Sequence, residues 1–333
     1  MLTITLYTRK GCGLCEETKA HLAELAEELP HRLAEVDIEA DAGLLKKYMT
    51  AIPVVEIGPY TLSAPITKEQ LRVTLGAASD RRGQLDKIGD SSYEARVRRG
   101  LQVTTSDRIS YWLSRHYLLV INLFMLLYVG LPFLAPALMK TGAELPARVI
   151  YTMYSPLCHQ FGFRSFFLFG EQSYYPSAEA DIKNVKTFED ITGYTNIGDP
   201  QSIDRLKARQ FTGNETTGYK VALCERDVAI YLGILIFGLV FGITGKRLPP
   251  LHWSLWILIA LGPIGLDGFS QVLSQFNFSW LSPVLAYRES TPFLRVLTGF
   301  LFGFGTAWFA IPYIEESMAE TRQFFIKKLA VVK

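Results

Sequence analysis

Four stretches of this chain are apolar over lengths that match a hydrocarbon core, which takes about 20 helical residues to cross. They are Tyr117 to Leu138, Val228 to Thr244, Leu251 to Val272 with an interruption at Pro263, and Pro292 to Tyr313. Helices that are apolar on every face must be covered by lipid or by one another. Residues 116–315 are therefore expected to form an α-helical multi-pass membrane domain of about four transmembrane helices, with the lipid bilayer as its partner. Leu145 to Phe169 is apolar and aromatic but broken by Pro156, Cys158, His159, Gln160 and Arg164, and reads as an interfacial or re-entrant helix, with a fifth span as the alternative. Hydrophobic residues make up 49% of the 333, a share that favours two unlike parts over one soluble domain.

The formal net charge of +2 gives no support to a nucleic-acid partner, but the placement of the basic residues is informative. Arg96 to Arg115 precede the first span, Lys246 and Arg247 separate the second and third, and Arg322, Lys327 and Lys328 follow the fourth. With four spans all three clusters fall on one side, which the positive-inside rule makes the cytoplasmic one. The expected protein lies in the cell membrane with both termini in the cytoplasm. Residues 79–115 read as a basic juxtamembrane linker able to attract anionic headgroups, 170–223 as an exoplasmic loop or small subdomain, and 316–333 as a cytoplasmic amphipathic tail. Met1 to Tyr7 has neither a basic n-region nor a long apolar run, so no cleavable signal peptide is expected before the first domain.

Residues 1–78 read as strand, helix, strand, helix, two short strands and a helix, a small α/β domain that opens on the alternating run Leu2 to Tyr7. Of four cysteines, Cys12 and Cys15 sit at the turn from the first strand into the first helix, where free backbone amides and the helix dipole stabilise a thiolate. That position makes Cys12 the nucleophile and Cys15, in the first helical turn, the resolving thiol. Half a metal site or an idle pair are the alternatives; with no second Cys-x-x-Cys or paired His, redox chemistry is favoured. The stretch also resembles the glutaredoxin-like domain of the thioredoxin superfamily, through Leu6-Tyr7-Thr8-Arg9, Gly11-Cys12, Cys15, Glu16 and Lys19, then Val36-Asp37-Ile38 and Ala51-Ile52-Pro53-Val54-Val55. The resemblance implies a thioredoxin-like fold, a cis Pro53 beside Cys12, and a substrate groove shaped by Tyr7, Pro53 and Val54. The proline common after the first cysteine and the glycine pair of the glutathione site are missing, so the implied partner is a cytoplasmic thiol reductant or protein thiol substrate in general.

The second constellation lies at the span ends: Cys158, His159, Gln160 and Arg164; Cys224, Glu225, Arg226 and Asp227; Asp267 and Gln271; Thr291 and Arg295. The inferred topology gathers them at the outer face. Charged groups at membrane depth need partners, which favours Asp267 pairing with Arg226 or Arg295. A Cys158–Cys224 disulfide would staple the excursion between them, contributing about 3 to 4 kcal/mol in the chain-entropy model. A redox-active outer pair, or a metal site of Cys158, His159, Cys224 and Asp267 suited to zinc, are the functional alternatives. His252, beside Trp253, reads as an interfacial residue. Residues 145–315 also resemble a family of predicted prokaryotic membrane proteins of unknown function, through Cys158-His159-Gln160, Arg164-Ser165-Phe166, Cys224-x-Arg226, Ile230-Tyr231-x-Gly233, Leu248-Pro249, Asp267-Gly268 with Gln271, Ser290-Thr291, Arg295 and Thr298-Gly299. Pro292 and Glu225-Arg226-Asp227 depart from that pattern.

The expected function is membrane-bound thiol–disulfide exchange by Cys12 and Cys15, coupled to Cys158 and Cys224 only through a quinone, a haem or a partner, since a bilayer of about 30 Å would separate the pairs. The alternatives are a transporter or ligand-binding protein regulated by the thiol domain, and a plain membrane anchor for it.

Overall fold

The computed structural model describes residues 2–89, 95, 99–100, 102–199, 201–275 and 288–332. Two units emerge, the first comprising Met1–Tyr117 and Glu316–Lys333, the second Leu118–Glu315.

In the first unit β1 (Leu2–Thr8) lies inside a four-stranded sheet of order β2-β1-β3-β4, parallel to β2 (His31–Asp37) and antiparallel to β3 (Val54–Ile57), which pairs with β4 (Tyr60–Ser63). An interior strand covered on both faces buries consecutive residues, and Ile4, Thr5, Leu6 and Tyr7 are all buried. Ile4, Leu6, Val55 and Ile57 pack with Leu22 and Leu25 of α1 (Gly13–Leu25) and Leu71 and Leu75 of α3 (Lys68–Ile88). A second cluster joins Tyr7, Val36 and Val54 to Cys15 and to Leu44 and Tyr48 of α2 (Ala42–Tyr48).

Each helix of this unit begins on a local signal. Cys12 caps α1, Asp41 caps α2 through the amides of Gly43 and Leu44, and Thr67 with Gln70 forms a reciprocal capping box for α3. Helix α3 runs to Ile88 and stops at left-handed Gly89, ten residues beyond the boundary expected at 78, so Arg81, Arg82 and Lys87 are helical. Arg108 and Arg115 are helical too, on α4 (Thr105–Lys140), while Arg96 and Arg98 lie outside the described residues. The expected tail 316–333 is instead the continuation of α11 (Pro292–Val332), whose Ile326 and Ala330 pack on the Tyr7 cluster. Its Arg322 donates to the Asp41 carboxylate at 3.0 Å and to the Ser114 carbonyl at 2.9 Å, and Lys328 to Asp107 at 2.7 Å.

Among the described residues four helices are long and apolar enough to cross a membrane: Thr105–Lys140, Glu225–Ile243, Trp253–Ser274 and Pro292–Val332. The second is α8 (Glu225–Ile243). The third is composite: α9 (Trp253–Leu255) passes through a π-helical turn (Trp256–Leu261) into α10 (Gly262–Gln275). Pro263 has no amide hydrogen for the carbonyl one turn earlier, and the ladder widens where that bond is lost. Helices α8 and α11 approach through Gly233, Gly299 and Gly303; a Cβ on Gly303 would meet the Ile230 carbonyl oxygen at 1.9 Å.

The single helix expected over Leu145 to Phe169 ends early. α5 (Glu144–Tyr154) has 11 residues, about 16 Å of helix, too short for a fifth span. A 3₁₀ turn at Gly162–Arg164 and β5 (Ser165–Leu168) follow it. Of the two forms expected for 170–223, a loop or a small subdomain, the structure has a folded subdomain. β5, β7 (Gly218–Cys224) and β6 (Gly213–Asn214) form an antiparallel sheet of order β5-β7-β6, accompanied by α6 (Phe188–Thr192) and α7 (Ile203–Gln210). Phe161, Phe163, Phe167, Tyr175 and Phe188 make its core.

Asp41 carries much of the first unit. Burial alone would raise its pKa, but Arg322 and the amides of Leu44 and Gly43 outweigh it and hold the carboxyl below the usual carboxylate value. Its contribution is therefore present above about pH 4 and is lost as the pH falls through the lowered value. Asp41→Ala removes the cap and takes a carboxylate from Arg322. The expected loss is about 2 to 4 kcal/mol at neutral pH, read as a lower unfolding midpoint of the full chain in detergent, with Asp41→Asn losing less.

Candidate functional site

Gly11, at φ 76°, turns the chain from β1 into α1 and leaves Cys12 at the helix cap in an extended conformation. The Cys15 amide donates to Cys12 Sγ at 3.2 Å, and the Cys15 and Glu16 amides both donate to the Cys12 carbonyl. Cys12 and Cys15 are joined as a disulfide, with Cys15 fully buried and Cys12 half-buried. A sulfur at a helix N-terminus that accepts an amide is stabilised as a thiolate once reduced. The Ile52–Pro53 bond is cis, and Ile52 and Val54 share a core cluster with Cys15 against which Cys12 packs. The resemblance-based expectation for Tyr7 meets a different geometry: its ring is buried and stacked on Tyr48, 4.4 Å between centroids, so it supports the dithiol turn from within the core. Burial, with Glu56 and Tyr48 beside it, raises its phenol pKa.

In the second unit the residues singled out at the span ends meet in two clusters. The first is ionic. Arg295, buried in the opening turns of α11, donates to Glu225 at 3.4 Å, to the Phe163 carbonyl at 3.2 Å and to Glu289. Arg164 holds the same Glu289 with two parallel bonds of 2.8 and 2.9 Å. Asp267 takes Arg226 at 2.5 Å, Arg288 at 2.7 Å and the Ser290 hydroxyl at 2.7 Å. Of the two partners expected for Asp267, Arg226 is the one found; Arg295 is engaged by Glu225 and Glu289. Thr291 sets the start of α11, its hydroxyl accepting from the Leu294 amide and its carbonyl from the Arg295 amide. Gln271 is buried one turn after Asp267. Ser290 was singled out with Thr291 in the sequence, but Arg288 and Glu289, which immediately precede that motif, were not anticipated as site residues.

The second cluster centres on the thiols. Cys158 and Cys224 are free, so the expected staple is absent, and with Asp227 they place three ligand atoms within 4.8 Å of one another. Cys158 Sγ accepts the amides of Gln160 at 3.4 Å and Cys224 at 3.3 Å, and Cys224 Sγ donates to Asp227 at 3.0 Å. The hydrogen bond with Cys158, burial and the Asp227 carboxylate push the Cys224 thiol well above its ordinary value. His159, expected as a ligand, is exposed and stacked on Phe161, and Asp267 is taken up by its arginines, so neither belongs to this cluster. Gln160 is structural: at φ 53° its side-chain amide bridges the Tyr151 and Ala222 carbonyls, both at 2.9 Å. His252 caps α9, its ring nitrogen accepting from the Ser254 amide at 3.4 Å.

Lys220 of β7 was not anticipated at all. It is 1% exposed, and its ammonium donates to the carbonyls of Gln160 at 2.7 Å and Arg209 at 2.8 Å, at the floor of a cavity of about 450 Å³. Burial pushes its pKa down to about 7. The unfolded chain keeps this proton until near pH 10, so between pH 7 and 10 it binds more protons than the folded chain and stability rises with pH. The expected result is an unfolding midpoint of the detergent-solubilised chain that climbs from pH 7 to 9, with a smaller climb in Lys220→Met. Parallel pH curves would remove Lys220 as the titrating group.

With both sites described, relatives place the chain. Residues 3–76 match the family described as "Glutaredoxin-like domain (DUF836)", and residues 207–309 the one described as "Predicted membrane protein (DUF2085)". "Uncharacterized protein MJ1492" of Methanocaldococcus jannaschii is 25% identical over 213 residues, covering 61% of this chain and 96% of that protein. No solved structure matches significantly. One chain thus carries an N-terminal stretch that matches a glutaredoxin-like domain family and a C-terminal stretch that matches a predicted membrane-protein family.

Proposed function

We propose that the protein is a membrane-bound thiol–disulfide oxidoreductase that works through Cys12 and Cys15 on the cytoplasmic side. The observation that carries this reading is the asymmetry of the pair: a half-buried Cys12 whose sulfur sits at the cap of α1, 3.2 Å from the Cys15 amide, and a resolving cysteine with no exposed surface. In the reduced domain the Cys12 thiolate attacks a substrate disulfide, forming a mixed disulfide and expelling one substrate thiolate, which takes up a proton. Cys15, losing its proton, then attacks the Cys12 sulfur and expels the second substrate thiolate. Two electrons and two protons have passed to the substrate, and the Cys12–Cys15 disulfide awaits a thiol reductant.

The cytoplasmic assignment rests on the basic clusters at Lys246 and Arg247 and at Arg322 to Lys328, and on the four candidate spans among the described residues. It is supported by the ion pairs of Arg322 with Asp41 and Lys328 with Asp107, which hold the C-terminal part of α11 in the same unit as the N-terminal domain.

Cys12→Ser in the full-length protein is expected to bring reduction of a small model disulfide to background. Wild-type turnover by that variant would refute the proposal. Cys15→Ser leaves the attacking sulfur intact but cannot resolve its product, so it should accumulate a mixed disulfide on Cys12, seen by mass spectrometry as an adduct that a thiol reductant removes.

A further inference from the structure

Three groups at the junction of β7 and α8 have no part in that chemistry. Cys158 follows α5, Cys224 is at once the last residue of β7 and the cap of α8, and Asp227 lies in the first turn of α8. Their Sγ, Sγ and carboxylate oxygen atoms lie within 4.8 Å of one another. A tetrahedral ion with metal–sulfur bonds of about 2.3 Å spaces its ligands about 3.8 Å apart, so side-chain adjustment alone can close this set around one.

Two further observations point to a cation. Cys158 Sγ accepts two backbone amides, from Gln160 and Cys224, an arrangement that stabilises negative charge on sulfur. Asp227 makes no ion pair with an arginine, lysine or histidine among the described residues; its recorded hydrogen bond is the one from the Cys224 thiol at 3.0 Å. One turn along α8 from Asp227, Tyr231 meets Tyr128 edge-on with 4.4 Å between ring centroids. A carboxylate that forms no ion pair and sits beside two thiols is what a metal ion would complete.

We propose that Cys158, Cys224 and Asp227 form a zinc site with two thiolates and one carboxylate as ligands and a fourth position left for water or a further ligand. The donor set selects the ion. Two sulfurs are too soft for magnesium or calcium, and the carboxylate is out of place for copper(I), whereas zinc takes sulfur and oxygen together. On binding, each thiol releases one proton to solvent and the Cys224 hydrogen bond to Asp227 is replaced by two metal–ligand bonds; no electron is transferred. The site is independent of Cys12 and Cys15, so it stands or falls apart from the redox proposal.

The test uses the full-length protein in detergent, reduced with a phosphine, stripped of metal and titrated with zinc chloride. The expected result is one zinc per chain, and protection of Cys158 and Cys224 from alkylation while Cys12 and Cys15 react as before, read peptide by peptide in the mass spectrometer. Cobalt(II) in place of zinc should give a thiolate charge-transfer absorption. Cys158→Ser and Cys224→Ser should abolish it, Asp227→Asn should weaken binding by about tenfold or more, and the Cys12→Ser, Cys15→Ser double variant should keep full stoichiometry. The wild-type alkylation pattern needs no variant to fold. Absence of bound zinc, protection of Cys12 and Cys15 instead, or a Cys158–Cys224 disulfide in protein alkylated at the moment of lysis would each overturn the proposal.

Discussion

A guanidinium held between two carboxylates away from water fixes the geometry on which the membrane domain depends. Arg295 belongs to α11, Glu225 to the first turn of α8, Glu289 to the segment before α11, and the Phe163 carbonyl to the turn before β5. Losing any one partner would leave a charge in a poorly solvating site, at a cost of several kcal/mol, so these four segments hold their relative positions together or not at all. Arg164 and Asp267 extend the same logic outward through Glu289 and through Arg226, Arg288 and Ser290. The thiol cluster borrows that rigidity: Cys224 and Asp227 flank Glu225 and Arg226 in sequence, so the ion pairs that seat the start of α8 also seat two of the three ligands proposed for zinc.

Much of this was legible in the sequence where the determining forces are local. The strand at Leu2, the Cys12 turn, the cap at Asp41 and the helix after it follow from alternation, helix-start chemistry and short-range spacing, and the structure has them within a residue or two. Four long apolar runs gave four helices, because a run of that length has few other ways to satisfy its backbone. Helix ends fared worse. α3 and α11 continue through polar sequence because ion pairs and a core face replace the apolar run as the reason to stay helical, and no window of sequence contains Asp41 together with Arg322.

The sites show the same division. Cys12 and Cys15 could be given roles from position in one turn. For the outer groups, sequence supplied the members but not the pairing, since whether Arg295 meets Asp267 or Glu289 depends on how α10 and α11 are rotated. His159 looked like a ligand because it follows Cys158, yet one residue along an extended segment reverses the side-chain direction, and it faces away to Phe161. Asp227 was grouped with Cys224 by sequence, but its relation to Cys158 is set by the long excursion that brings β7 back beside α5. Lys220 escaped because a lysine in a polar-looking stretch is normally solvated, and only the folded subdomain around it removes the water.

The glycines between α8 and α11 have a consequence for permeation. At Gly233, Gly299 and Gly303 the two helices meet backbone to backbone, with so little clearance that a single methyl group on Gly303 would overlap the Ile230 carbonyl. This seam runs along the first half of α8, from Arg226 to Gly233, and the first half of α11, with the Ala229 methyl and the base of the Arg226 side chain beside Gly299. Backbone contact this close leaves no room for an ion or a small solute between α8 and α11 at these three glycines.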